Sequence, residues 1–101
     1  MALTTKGPKK LERHFKGVAN HTRIKILFFI RAHPGVSLIG IADGLKANLK
    51  TVSEHTRRLA LAGLIEKVSE GRDVRHTLSR YGKIFMKFID EFSTLKPERG
   101  E

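Results

Sequence analysis

Apolar residues recur at helical spacing in the first third of the chain. In LERHFKGVA, Leu11, Phe15 and Val18 stand at i, i+4 and i+7, which predicts an amphipathic helix. The next segment, HTRIKILFFIRA, follows Asn20, a good N-cap, and precedes the Pro-Gly pair at 34–35. Because this second helix is apolar on nearly every side, we expect it in the middle of the fold.

A short third helix is predicted in LIGIADGL, with Ser37 as its N-cap. Gly40 and Gly44 lower the helix propensity of this segment. Two interpretations remain open at this point. The glycines either allow another backbone to approach closely, or they are tolerated residues in a weak helix.

A fourth helix follows after the two-residue turn KA. Asn48 is a good N-cap, and the helix over 49–62 ends at Gly63, which can adopt the left-handed conformation. At 100° per residue, one face holds Val52, His55, Thr56, Leu59 and Ala62. The opposite face holds Lys50, Glu54, Arg57 and Leu61, flanked by Thr51, Ser53 and Arg58. Two short helices joined by a tight turn, the second with a free polar face, predict a helix-turn-helix.

A β-hairpin is predicted after the fourth helix. The segments LIEKVS and VRHTLS flank the turn EGRD. In the second segment Val74, His76 and Leu78 alternate with Arg75 and Thr77, as strand residues do. A hairpin in this position is a candidate wing.

The last helix is predicted in RYGKIFMKFIDEFSTL, with Ser79 as its cap. Its apolar stripe consists of Tyr81, Ile84, Phe85, Phe88, Phe92 and Leu95, with Met86 and Ile89 beside it. The stripe is wider than one small core needs. Either the helix docks on its own domain along the whole stripe, or it forms a subunit interface together with the helix around Phe15. We favour the interface, since small regulators often reach two half-sites through a two-fold axis.

Composition narrows the class of protein. The chain has 101 residues, enough for one small domain, which we place at 11–95. Residues 1–10 are predicted to form a flexible basic arm, and residues 96–101 a polar tail. The formal net charge is +10, so the expected partner is a polyanion, and nucleic acid is the first candidate.

Several classes of site are not expected. The chain has no cysteine, which excludes disulfides and thiolate metal sites. No apolar run approaches the roughly 18 residues of a membrane span, so we expect a cytoplasmic protein. The histidines show no metal-ligand spacing, and no catalytic motif is present. Ser53, Glu54 and His55 are adjacent on a helix and point 100° apart, so they cannot form a catalytic relay. We therefore predict no enzyme, no cofactor and no metal.

Three segments together resemble the ArsR-type winged helix-turn-helix regulators: VANHTRIKIL, TVSEHTRRLALAGLI and EGRDVRHTLS. The resemblance covers roughly Phe15 to Phe92, and MarR-type and PadR-type regulators share the wing. The fold it implies is mainly α with a small β-hairpin, with about five helices and a two- or three-stranded wing. Many metal-sensing members have cysteines in the third helix or histidines in the last. Because this chain has neither, metal sensing is not expected.

The resemblance also implies a homodimer on double-stranded DNA, with the first and last helices at the interface and the wings on flanking backbone. The DNA-binding residues that the resemblance implies are Lys50, Thr51, Ser53, Glu54, Arg57 and Arg72. We add the neighbouring cations Arg58 and Arg75 to the predicted DNA-binding set. The predicted interface residues are Leu11, Phe15, Phe85, Phe88, Ile89 and Phe92. Lys50 and Arg57 can contact phosphate or guanine. Glu54 either accepts from cytosine or forms an i, i+4 ion pair with Arg58.

The predicted function is that of a sequence-specific transcriptional regulator, a repressor that binds a palindromic operator and is nucleoid-associated when bound. The alternative is an interaction or architectural module that binds protein, DNA or RNA without sequence specificity. Glu54 favours the regulator, since a surface that only coats nucleic acid has little use for a carboxylate. The effector, if there is one, stays unknown.

Overall fold

Five helices and three short strands follow one another in the computed structural model, which describes residues 6–98. The elements in chain order are α1 Pro8–Val18, α2 His21–Ala32, β1 Val36–Ser37, α3 Leu38–Leu45, α4 Leu49–Leu61, β2 Ile65–Glu70, β3 Asp73–Leu78 and α5 Arg80–Ser93. The predicted fold class, a winged helix-turn-helix, is confirmed.

The predicted helix caps form as the sequence indicated. Each cap side chain accepts hydrogen bonds from backbone N–H groups of the first helical turn, which have no partner within the helix. These caps are Asn20 on α2, Ser37 on α3, Asn48 on α4 and Ser79 on α5. The turn between α3 and α4 is tightened by Lys46, whose φ of 52° places it in the left-handed region. This turn is the sharp connection of the helix-turn-helix.

The ends of the chain differ from the predicted boundaries. Helix α1 begins at Pro8, inside the segment predicted as a basic arm, because proline is well suited to the first helical position. The prediction for residues 1–5 lies outside the described residues, as does that for 99–101. Helix α5 ends at Ser93, and residues 96–98 of the predicted polar tail follow it without helix or strand.

The hydrophobic core lies between α2, α3, α4 and the start of the wing. Its fully buried aliphatic side chains are Ile26, Leu27, Ile30, Ile41, Val52, Leu59 and Leu64, with Met86 from α5. Helix α2 is central, as predicted, but Phe28 is exposed. At this exposed position Arg31 stands over the ring, 5.2 Å from its centroid.

The two glycines of α3 accommodate side chains. A Cβ on Gly44 would overlap the ring of Phe29, and a Cβ on Gly40 would lie 2.7 Å from a methyl group of Val36. Of the two interpretations, close approach is correct, but the approaching groups are side chains and not a second backbone. The glycines let α3 pack against α2 and β1 without a gap.

The sheet is antiparallel, with strand order β1-β3-β2. Strands β2 and β3 pair from Ile65↔Leu78 to Glu70↔Asp73, and the two-residue turn between them begins at Gly71, whose φ is 64°. A glycine at the first central position is typical of a type II′ hairpin turn. Strand β1 adds Val36↔His76 at the other edge of β3.

His76 is the buried polar residue of the wing. Its Nδ1–H donates to the carbonyl oxygen of Val36 at 2.9 Å, which ties β1 to β3 beyond the backbone pairing. Burial lowers the pKa of His76, the hydrogen bond to Val36 opposes this shift, and the charge of Lys67 adds to it. The neutral imidazole is therefore the form that the folded chain stabilises.

The exit of α4 is bonded to α1 and to the cap of α5. The carbonyl oxygen of Ala62 accepts from Nδ1 of His14 on α1 at 2.6 Å. The next two carbonyls both accept from Ser79, the cap of α5: Gly63 from its hydroxyl at 2.6 Å and Leu64 from its backbone N–H at 3.1 Å. Gly63 has a φ of 77°, as predicted for the end of this helix. Three consecutive carbonyls thus fix α1 and α5 relative to α4.

Gly82→Ala is expected to destabilise the domain by about 2 kcal/mol or more, because overpacking a closed site costs that much. A Cβ on Gly82 would overlap the carbonyl oxygen of Leu64, which cannot move without breaking its bond to Ser79. Urea unfolding followed by circular dichroism measures the effect. The neighbouring exposed variant Lys83→Ala is the control. Equal stability of the two variants would contradict the close packing of α5 on the α4 exit.

The free energy of unfolding is expected to fall as the pH falls below about 6.5, the ordinary pKa of histidine. Because the pKa of folded His76 is lowered, the unfolded chain binds more protons in this range, and stability present above the unfolded pKa is lost. His55, whose pKa is also lowered, contributes to the same trend. Urea unfolding as a function of pH measures it. His76→Gln should flatten the dependence. An unchanged slope in His76→Gln would exclude His76 as a source.

Candidate nucleic-acid interface

The outward face of α4 is polar and accessible along the first three turns. The exposed side chains are Lys50, Thr51, Ser53, Glu54, Arg57 and Arg58. Val52, Thr56, Leu59 and Ala62 are buried on the opposite side, and His55 is half-buried at the edge. The predicted division of the helix into two faces is confirmed. Since one face belongs to the core, the other is free to contact a ligand.

Glu54 forms ion pairs with two arginines. Its carboxylate accepts from Nη2 and Nε of Arg57 at 2.6 and 3.1 Å, and from Nε of Arg58 at 3.3 Å. The Arg57 guanidinium is the main cause that lowers the pKa of Glu54. The predicted pair with Arg58 is present, but the two-bond pair with Arg57 is the closer one and was not predicted. One carboxylate therefore fixes the orientation of two exposed cations.

The two predicted wing arginines have different surroundings. Arg72 is exposed in the hairpin turn. Arg75 is half-buried and donates to the carbonyl oxygen of Gly35 at 3.4 Å, with Asp73 and Glu70 at 3.7 and 4.0 Å from its guanidinium. Arg72 is thus exposed at the tip of the wing, whereas Arg75 is engaged by Gly35 and by two carboxylates of the hairpin.

A groove of about 440 Å³ lies between the wing and the first turns of α3 and α4. Ser53 lines it from α4, and Lys67 and Arg72 line it from the wing. Three exposed aliphatic residues, Ile39, Leu49 and Val74, line it as well. Sequence reasoning missed Lys67, Ile39 and Leu49. Lys67 is one of several exposed residues of β2, and no polar pattern points to the aliphatic residues.

The other flank of α4 faces the start of α2. Nη1 of Arg23 lies 3.3 Å from Nδ1 of His55, and the Nε of Arg23 is buried without a hydrogen-bond partner among residues 6–98. Burial, followed by the charges of Arg23 and Arg58, lowers the pKa of His55. Because a neutral imidazole nitrogen can accept, Arg23 and His55 form a compatible pair. Sequence reasoning predicted a packed ring at His55 but missed Arg23.

An apolar surface, here called the α1–α5 patch, lies on the side of the domain formed by α1 and α5. It consists of Leu11, Phe15, Tyr81, Ile84, Phe85, Phe88 and Phe92. Adjacent aromatic rings are in contact: Phe15 with Phe85, Phe85 with Phe88, and Phe88 with Phe92, at centroid distances of 5.9, 6.2 and 5.7 Å. Most of these side chains are exposed. The interpretation in which the stripe is used up within its own domain is therefore wrong.

Five of the six predicted interface residues belong to this patch. Leu11, Phe15, Phe85 and Phe88 line its groove of about 240 Å³. Phe92 stacks on Phe88, and Ile89 is half-buried on the same helix. Asp90, one turn before the end of α5, accepts two bonds from Arg31 of α2 at 2.7 and 3.1 Å. This exposed ion pair, which the sequence pattern did not predict, links α5 to the core helix.

Two other kinds of site are not found in the described part of the chain. Within residues 6–98, no cluster of three or more histidine, aspartate or glutamate side chains could hold a metal ion. No helix in that range has the length and apolar character that a membrane span requires.

A family model supports the winged helix-turn-helix assignment. Residues 20–66 match a family described as winged helix-turn-helix DNA-binding. This range runs from the cap of α2 through the outward face of α4 to the first residues of β2. Comparison with curated proteins found no significant match.

Solved structures with similar folds include bacterial regulators. The homodimeric winged helix-turn-helix domain of Mb0332 from Mycobacterium bovis, a possible ArsR-family regulator, has a TM-score of 0.76 at 22% identity, covering 100% of this chain and 99% of that one. HlyU from Vibrio cholerae has a TM-score of 0.76 at 23% identity over 88% and 97%. The repressor PagR of Bacillus anthracis has a TM-score of 0.72 at 18% identity over 80% and 93%.

The chain is a winged helix-turn-helix protein by fold, and its structural neighbours are regulators of the ArsR and MarR types. The predicted resemblance is confirmed at this level. The roles of individual side chains on α4 and the wing stay predictions.

Proposed function

We propose that this protein is a sequence-specific transcriptional regulator, a repressor that binds a palindromic site in double-stranded DNA as a homodimer. One observation supports this above the others: α4 buries one face in the core and exposes hydrogen-bonding and cationic side chains on the other. A helix of that kind, with a wing beside it, has the shape that enters the major groove. The DNA-binding description of the matched family supports the same function.

The side chains of α4 are suited to two kinds of contact. Lys50 and Arg57 can donate to O6 and N7 of guanine or to backbone phosphates. The hydroxyls of Thr51 and Ser53 can contact phosphate or base edges. At the wing, exposed Arg72 is placed to approach the backbone beside the groove. Contacts to phosphate supply salt-dependent affinity, and contacts to bases supply the choice of sequence.

Glu54 supports sequence recognition over uniform coating of nucleic acid. Its carboxylate neutralises part of the charge of Arg57 and Arg58, which reduces the attraction of this face for any phosphate backbone. In return, the pairing limits the orientations of the two guanidinium groups. Once DNA is bound, the carboxylate can accept from a cytosine amino group. A surface that only coats nucleic acid gains nothing from such a residue.

The α1–α5 patch is the proposed subunit interface. It is aromatic, exposed and on the same two helices that the α4 exit fixes in place. Exposed apolar patches of this kind mark interaction surfaces. A two-fold axis through the patch would place two copies of α4 in successive major grooves, about 34 Å apart. The homodimeric state of the Mb0332 domain and the repressor role of PagR support this proposal. Its place of action is the cytoplasm, on the nucleoid.

Selection of the purified protein against a random duplex library at near-physiological salt tests the proposed function. We expect a palindromic motif with half-site centres about ten base pairs apart. The selected duplex should be preferred over a scrambled one by on the order of 10³ or more. A library retained without enrichment, and only at low salt, would support the alternative module without sequence specificity and overturn the regulator.

Lys50→Ala and Arg57→Ala are each expected to weaken binding to the selected duplex by about tenfold or more, because one good contact to a base is worth about 1–3 kcal/mol. Neither side chain contributes to the core, so thermal unfolding should change little. Fluorescence anisotropy at fixed salt measures the affinity. Lys83→Ala and Arg80→Ala, which remove the same charges from exposed positions on α5, are the controls. Unchanged affinity in both α4 variants would exclude α4 as the recognition helix.

Phe88→Glu is expected to convert dimers into monomers that bind the palindromic duplex far more weakly, because a carboxylate would be buried without a partner in the interface. Sedimentation measures the mass, and circular dichroism confirms folding. Lys87→Glu, which places the same carboxylate one position away from the patch, should stay dimeric. If Phe88→Glu unfolds the chain, or if it remains dimeric, the interface assignment is wrong.

A further inference from the structure

Two large aliphatic side chains are exposed at the centre of the proposed DNA surface. Ile39 in the first turn of α3 is 62% exposed, and Leu49 at the start of α4 is 46% exposed. Both line the groove between these helices and the wing. They do not belong to the α1–α5 patch, which lies on other elements, so dimerisation does not explain them.

The surroundings of the groove point to an anionic occupant. Lys67 and Arg72 line it from the wing, together with one acidic residue, Asp73. Lys50 follows Leu49 directly on α4, so cations outnumber carboxylates around the groove. An apolar peptide or a second apolar face would bury these charges without partners, at a large cost in free energy. A ligand that fits must therefore offer negative charge at its edges and an apolar group between them.

DNA has that combination of groups. Its phosphates lie along both edges of the major groove, and the apolar group displayed on the base edges there is the C5-methyl of thymine. Leu49 occupies the first position of α4, directly after the cap Asn48. Because helical side chains tilt towards the N-terminus, Leu49 projects beyond the end of the helix that would enter the groove first.

We propose that Leu49, with Ile39 beside it, binds a thymine methyl group and so specifies an A·T pair next to the bases contacted by Lys50. This proposal rests on the proposed function and adds a specificity residue to it. Its occupant is one base type in duplex DNA. Packing of Leu49 on deoxyribose or on a protein would leave binding independent of the thymine methyl.

The experiment replaces each thymine of the selected duplex, one at a time, by deoxyuridine, which lacks only the methyl group. At one symmetric position, wild-type affinity should fall about fourfold, as expected for the loss of one buried methyl group. Leu49→Ser should bind the thymine duplex more weakly and lose no further affinity with deoxyuridine. Ile39→Ala should show a reduced loss at the same position.

Leu61→Ser is the matched control, because Leu61 is 62% exposed in the last turn of the same helix. Leu61→Ser should still lose affinity about fourfold when the thymine is replaced by deoxyuridine. The proposal is overturned if deoxyuridine has no effect at any position, or if wild type and Leu49→Ser lose affinity equally. Either result leaves sequence-specific binding intact, so it is distinguishable from a failure of the proposed function, in which no duplex is enriched.

Discussion

Three consecutive backbone carbonyls at the exit of α4 determine the arrangement of the whole domain. Ala62 accepts from His14 of α1, and Gly63 and Leu64 accept from Ser79, the cap of α5. These carbonyls follow the last residue of α4, and an unpaired carbonyl in a buried position is costly. Pairing these carbonyls with groups from α1 and α5 satisfies them. It also fixes both terminal helices to the end of the helix that presents the polar face.

This connection has a functional consequence. The α1–α5 patch and the outward face of α4 lie on separate surfaces, yet the same backbone segment positions both. A dimer formed through the patch would therefore hold its two α4 helices at a defined separation. The wing starts at Ile65, directly after the α4 exit, so the position of each wing would be fixed as well. Arg31 and Asp90 add a second link between α5 and the core helix α2. In the proposed dimer, the distance between the two α4 helices would depend on the fold of each subunit as well as on the interface.

The sequence predicted the two faces of α4, the caps of α2 to α5 and the position of the hairpin, because periodicity and caps are local signals. It did not predict contacts between elements, since these depend on packing angles that no local pattern contains. Arg23 against His55 is one example, and the engagement of Arg75 by Gly35 is another. Leu49 was missed for a different reason: a search for polar and charged residues does not detect an exposed apolar side chain in the groove.

The proposed dimer is tested most directly by the distance between the two α4 helices in solution. The chain has no cysteine, so Lys50→Cys supplies one nitroxide label per subunit, and pulsed electron paramagnetic resonance measures the distance between labels. For the proposed dimer we expect a dipolar signal whose distance centres near one helical turn of DNA, about 34 Å, before any DNA is added. Absence of a dipolar signal would show a monomer. A distance that differs from one turn by more than the reach of the two labels would contradict the proposed dimer.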